Sequence, residues 1–247
     1  MMNICIVVGC RPGYIKQYPV YRSFINHNII PTVIATGQHQ DIINQHLDIL
    51  KMPIDLWLLK KQPKVHLSQL YGLIYDAACK YLVKHKFDTI FVNGDTTSAL
   101  AFAQAAFHFN IPIAHVESGL RSGSLTSPYP EEFNRISIDA MSTYLFAPTE
   151  RCFRACKEIN PQGNIYITGN TVIDSLKTIM ESNLSISEEN LNIEHSKYLL
   201  LDIHRRETIE KGYLPLIVKA VINQAKAHNM IIYWPAHPNP IVQTVAH

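Results

Sequence analysis

Between His115 and Arg135 the chain reads HVESGLRSGSLTSPYPEEFNR, which sets Glu117, Glu131 and Glu132 with Arg121 and Arg135 in one polar loop between two apolar segments. Folding alone has no need for that combination. Carboxylates move protons and stabilise developing positive charge, and arginines hold anions. Glu131 and Arg135 are four apart and could pair along a helix that starts at Pro130. That pairing accounts for one carboxylate and leaves Glu117 unexplained. Other reactive side chains follow apolar runs elsewhere. GCRPGYIK (9–16) offers Arg11 and Lys16 around a predicted helix start, where backbone N–H groups favour an anion, and Gly9 suits a tight turn. TGQHQD (36–41) offers Gln38 and His39 as hydrogen-bonding groups, and NGDTTSAL (93–100) offers Asp95, either as a helix N-cap or as a carboxylate held over the helix start. HRRE (204–207) offers His204 with Arg205 and Arg206. The collected loops describe a cationic, phosphate-like end (Arg11, Lys16, Arg205 or Arg206), an acidic end (Asp95, Glu117, Glu131) and one histidine. An anionic nucleotide sugar suits that layout, because carboxylates near an anomeric carbon stabilise oxocarbenium character and transfer protons.

The elements that must position these residues are short apolar runs: NICIVVG (3–9), IIPTVIATG (29–37), DTIFVNG (88–94), IPIAHVES (111–118), YLFAP (144–148) and NIYITGN (164–170). Continuous Ile/Val-rich runs predict strands buried on both faces, as in a parallel sheet. Helical patterns separate them, TTSALAFAQAAFHF (96–109) most clearly, with Asp95 as its predicted N-cap. The repeated βα units predict an α/β, doubly wound parallel sheet, in which ligands bind beyond the carboxyl ends of the strands. The expected domains are 1–180, a polar linker over 181–196, and the start of a second unit over 197–247. That second unit holds strands at 197–204 and 230–237 around a long helix from about 206 to 228.

A net charge of +2 and only 17% charged residues argue against nucleic acid as the main partner. The five cysteines have no metal-ligand spacing and read as reduced thiols, so no metal is expected. No run is long enough for a signal peptide or a membrane span, and a cytoplasmic protein is expected.

RPxxIK, TGQH, GDTTSALA, HVESGLRSGSLTSPYPEEFNR, FAPTE, ITGNTVID, HRRE and HPNP occur in that order between about Asn3 and Pro240. The ordered set closely resembles the non-hydrolysing UDP-N-acetylglucosamine 2-epimerases. The resemblance implies two Rossmann-like domains in a glycosyltransferase-B-like arrangement, with the substrate in the cleft between them. It implies interconversion of UDP-N-acetylglucosamine and UDP-N-acetylmannosamine, a product that feeds surface polysaccharide synthesis. The reaction would run by anti elimination of UDP and its re-addition after protonation on the other face. No cofactor is implied, and the sequence holds no dinucleotide fingerprint. By the same resemblance Asp95, Glu117 and Glu131 are the acid/base carboxylates, with the C2 base unassigned among them. Arg11, Lys16 and His204 contact substrate, with His204 near the diphosphate and counted with the three carboxylates among the catalytic residues. Arg135 and Arg206 fall in the matched motifs as further substrate-binding positions. Gln38 and His39 match a region tied to an allosteric UDP-N-acetylglucosamine site, and a homodimer is implied.

The sequence departs from the family pattern where Cys10 and Gly13 replace a Thr and a Glu, and where Asp202 and Ile203 replace a Thr and a Gly. Family members also continue past HPNP, so the second domain is expected to be incomplete and the protein truncated at its carboxyl end. The alternatives that follow are an inactive remnant or nucleotide-sugar-binding module, and a hydrolysing 2-epimerase that releases N-acetylmannosamine and UDP.

Overall fold

A computed structural model of the protein describes residues 2–37, 50–59, 65–182, 197–203, 208–209, 211–236 and 240–246. Its residues group into two units, 1–184 and 185–247. In the first, β1 (Ile4–Val8), β2 (Thr32–Ala35), β3 (Leu56–Trp57), β4 (Thr89–Asn93), β5 (Ile113–Val116), β6 (Tyr144–Ala147) and β7 (Asn164–Ile167) form one sheet. The order is β3-β2-β1-β4-β5-β6-β7 and every pairing is parallel, the doubly wound Rossmann-like topology. Strand β1 shows why its run is wholly apolar. Ile4, Ile6 and Val8 enter one core cluster with Tyr14 and Tyr18, while Cys5 and Val7 enter another with Ile90, Leu100 and Phe102. Side chains alternate across a strand, and here both faces are covered.

The helices of this unit are α1 (Arg11–Asn26), α2 (Leu67–Leu82), α3 (Thr97–His108), α4 (Glu131–Met141), α5 (Glu150–Ile159) and α6 (Val172–Glu181). Tyr14 anchors α1 to the segment after β2, donating its hydroxyl to the Met52 carbonyl (2.9 Å) and accepting from the Met52 N–H (3.0 Å). Helix α3 carries small residues, Ala99, Ala101, Ala103, Ala105 and Ala106, all buried, which lets neighbours approach closely. Its N-cap is Thr96, whose Oγ1 accepts from the Ala99 N–H at 3.1 Å. Asp95, the expected cap, stands one residue too early for that bond and is left available for another partner. Gly9 is also corrected. It makes no left-handed turn; a Cβ there would come within 2.9 Å of Thr96 Oγ1, so the residue serves close approach of β1 to the start of α3.

In the second unit, β8 (Tyr198–Leu200) and β9 (Ile231–Tyr233) pair in parallel. Helix α7 (Leu214–Ala227) and helix α8 (Pro240–Ala246) complete its described elements. Leu201, Ile209, Leu214, Val218 and Val242 form its core. The helix expected from about 206 to 228 is interrupted: Thr208 and Ile209 are helical, Gly212 takes the left-handed φ of +71°, and α7 begins at Leu214. At the expected linker, Glu181 is still the last residue of α6, and positions 183–196 lie outside the described residues.

Candidate active site

The sheet order reverses between β1 and β4, and a doubly wound sheet opens its crevice at that switch point. Strand β1 runs out into Gly9, Cys10 and Arg11, β4 into Gly94 and Asp95, and β5 into Glu117. Adjacent strand ends therefore gather side chains distant in sequence. Lys16, in the second turn of α1, brings Nζ to 2.7 Å and 2.6 Å from the two Glu117 carboxylate oxygens. Asn170, after β7, donates Nδ2–H to Glu117 Oε1 at 2.8 Å. A methyl group built on Gly94 would lie 3.6 Å from Glu117 Oε2, so this carboxylate flanks the Gly94–Asp95 turn.

Glu117 sits at φ +67°, in the left-handed region that non-glycine residues rarely occupy. Such strain persists only where the surroundings over-determine it. Here the Gly94 N–H donates to the Val116 carbonyl (3.1 Å), the Ser118 N–H to the Phe146 carbonyl (3.1 Å), and the Gly119 N–H to Asp139 Oδ2 (3.1 Å).

Helix α4 supplies the rest. Arg135 pairs with the Asp95 carboxylate through Nη2 and with Glu132 Oε2 through Nη1 at 3.1 Å, while Asn134 Nδ2 donates to the Asp95 carbonyl at 2.8 Å. The neighbours Glu131 and Glu132 have separate environments. Glu132 is buried, and its two oxygens accept the Ser122 N–H (3.0 Å each) and the Gly123 N–H (3.2 Å). Burial pushes its carboxyl up, but those amides and the Arg135 guanidinium outweigh burial and hold it below the usual carboxylate range. Glu131 Oε2 is buried with no hydrogen-bond partner among the described residues. The expected Glu131–Arg135 pair is therefore replaced by Glu132–Arg135 at i, i+3 and by the long-range Asp95–Arg135 pair.

The expected separation of a cationic end from an acidic end does not hold among the described residues. Lys16 neutralises Glu117 and Arg135 neutralises Asp95. Arg11, the first residue of α1, is exposed and makes no ion pair with a described residue. Cys10 caps α1 without a side-chain bond, near enough to Asp95, Lys16 and Glu117 to feel their charges. Burial pushes its thiol up, which disfavours the thiolate. Gln38, His39, His204 and Arg206 lie outside the described residues. Sequence reasoning passed over Asn170, Asn134, His115 and Asp139. Asn170 alone carried a signal, as the polar residue ending the loop after β7. No group of His, Cys, Asp and Glu among the described residues is arranged to hold a metal ion, and no described helix is long and apolar enough to cross a membrane.

Comparison with known proteins gives the arrangement a lineage. The family described as UDP-N-acetylglucosamine 2-epimerase matches residues 25–247. A Thermotoga maritima relative under the same description is 36% identical over 258 residues, which cover 99% of this chain and 66% of the relative. The UDP-N-acetylglucosamine 2-epimerase of Escherichia coli K12 is 35% identical, over 98% of this chain and 67% of its own length. A Neisseria meningitidis UDP-GlcNAc 2-epimerase, solved bound to UDP-GlcNAc, superposes with a TM-score of 0.87 at 33% identity, over 99% of this chain and 68% of that one. The protein thus spans about two thirds of the length of the relatives it matches. Sequence and fold agree over nearly its whole extent, and the chain belongs to the UDP-N-acetylglucosamine 2-epimerase family.

Proposed function

We propose that this protein acts on UDP-N-acetylglucosamine, interconverting it with UDP-N-acetylmannosamine by elimination and re-addition of UDP. In elimination a base takes the C2 proton, the C1–O bond to UDP breaks, and a C1=C2 double bond forms. In re-addition a diphosphate oxygen attacks C1 and C2 takes a proton on the opposite face. The C2 proton is not beside a carbonyl, so charge at C1 and on the departing diphosphate must be stabilised together with its removal.

The observation that carries this reading is the unequal state of the carboxylates. Glu117 is matched by Lys16 and Asn170, and Asp95 by Arg135. Of these carboxylates, only Glu131 keeps a buried oxygen without a partner among the described residues. Its Oε2 has no partner to displace on taking a proton, so Glu131 is assigned as the C2 base. Glu117 and Asp95, ionised in their pairs with Lys16 and Arg135, then flank and stabilise the developing charge at C1. Arg11, exposed at the uncapped start of α1, is assigned to the diphosphate. A member of the family solved with UDP-GlcNAc supports the choice of substrate. Assignment to the cytoplasm rests on the sequence reading that no run is long enough for a signal peptide or a membrane span, and assignment to a homodimer on the family resemblance.

Incubation of the protein with UDP-N-acetylglucosamine in heavy water tests the reading. Deuterium at C2 of both nucleotide sugars is expected. Binding without exchange would replace it with a nucleotide-sugar-binding module, and net release of UDP with N-acetylmannosamine would replace it with a hydrolysing enzyme.

A further inference from the structure

Behind the strained turn lies an ion cluster that the proposed chemistry does not use. His115 on β5 and Asp139 on α4 are fully buried, with ring Nδ1 2.7 Å from Asp139 Oδ1. The other ring nitrogen, Nε2, stands 2.8 Å from the Gly94 carbonyl oxygen. The second carboxylate oxygen, Oδ2, takes the Gly119 N–H at 3.1 Å and lies 2.7 Å from Arg121 Nη2. Burial alone pushes the Asp139 carboxyl up, but His115 and Arg121 outweigh it and hold the group below the usual range, so it stays an acceptor. A carbonyl oxygen is always an acceptor. A neutral imidazole has one N–H and one bare lone pair. It would set that lone pair against an oxygen lone pair at one of its two contacts, inside the core.

We propose that His115 carries both ring protons and forms with Asp139 a positioning pair that ties the Gly94–Asp95 turn to the Glu117–Gly119 turn. Each arm ends beside a carboxylate of the site. Gly94 directly precedes Asp95, and Gly119 closes the turn that Glu117 opens in its left-handed conformation. The doubly protonated ring donates to one turn and to the carboxylate that receives the other. His115 and Arg121 then set two cations against one anion, a net positive charge behind a turn whose front carries carboxylates. The catalytic consequence rests on the proposed function; the protonation state and the positioning do not.

Long-range 1H–15N spectra of the protein labelled with 15N-histidine read the protonation state directly. At about pH 8 His115, with an acceptor on each ring nitrogen, is expected to show a bonded proton on both nitrogens. A single protonated nitrogen would overturn the proposal. In Asp139→Asn the new amide can donate to Nδ1 while its oxygen still accepts from Gly119, so the ring is expected to keep only its Nε2 proton. A ring that keeps both would also overturn it. Amide exchange reads the positioning without any turnover. In His115→Gln the Gly119 N–H is expected to exchange at least about tenfold faster relative to the Val92 N–H, with the Asp95 and Glu117 signals displaced. Unchanged Gly119 protection would remove the positioning role. In Asp139→Asn, C2 exchange is expected to lose about a hundredfold in kcat with KM nearly unchanged. A change in KM alone would refute positioning, whereas a wild-type protein without exchange would refute the proposed function and leave the spectra to decide this inference.

Discussion

The backbone of Glu117 can be tested as a cost borne for the site. At φ +67° its Cβ crowds the following carbonyl, which for an L-residue costs about 1–2 kcal/mol. Glycine escapes that cost but loses about 0.5–1 kcal/mol more conformational freedom on folding. The difference leaves glycine ahead by about 0.75 kcal/mol at this position. A comparison with wild type would hide this, because removal of the carboxylate also strands Lys16 and Asn170. Comparing Glu117→Ala with Glu117→Gly cancels that loss, since both lack the carboxylate and they differ by one Cβ. The protein has two tryptophans, Trp57 in the first unit and Trp234 in the second. Urea unfolding followed by Trp57 fluorescence in a Trp234→Phe background therefore reports the unit that matters. With a denaturant slope of about 2 kcal/mol per molar, the glycine variant should unfold at a midpoint about 0.4 M higher. Both variants should incorporate no deuterium at C2. An alanine variant as stable as the glycine variant would show that the turn stores no strain, and the claim that the site holds Glu117 in an unfavourable conformation would fall.

Two further substitutions probe the supports of the site. A Cβ at Gly119 would lie 2.1 Å from the Cys152 carbonyl oxygen and 2.8 Å from Cys156 Sγ. Gly119→Ala should therefore cost more than about 3 kcal/mol through backbone displacement and left-handed strain, and a urea midpoint within error of wild type would contradict the packing described. Glu132→Gln should cost about 1–3 kcal/mol at neutral pH by weakening the bonds to Ser122, Gly123 and Arg135. The folded carboxyl lies below its unfolded value, so its stabilisation is full above about pH 4.3 and fades as pH falls through the folded value. The gap between wild type and variant should narrow toward about pH 3; a constant gap in acid unfolding would assign Glu132 a purely steric role.

The strands were legible because burial on both faces leaves a continuous apolar run, and Ile4–Val8, Thr89–Asn93 and Ile113–Val116 each lie within one. Strand β3 was not, since two residues, Leu56 and Trp57, leave no period to detect. The identity of the charged residues was legible too, but their partnerships were not. Lys16 and Glu117 are 101 positions apart and Arg135 and Asp95 are 40 apart. What joins them is the order of strands β1, β4 and β5, together with the return of α4 across their ends. Local spacing favoured the pair Glu131–Arg135, and the folded loop overrode it. The Ser122 and Gly123 amides turn toward Glu132, Arg135 is shared between Glu132 and Asp95, and Glu131 is left over. That remainder has chemical weight. Had Arg135 paired with Glu131 instead, Asp95 and Glu132 would have lost their guanidinium partner. The present pairing neutralises Asp95 and leaves a buried Glu131 oxygen without a partner among the described residues, the oxygen that the proposed mechanism uses as its base. Glu132 answers the question of why the loop needs a further acid: it draws Arg135 and the loop amides away from Glu131, so its structural role is what leaves its neighbour free for chemistry.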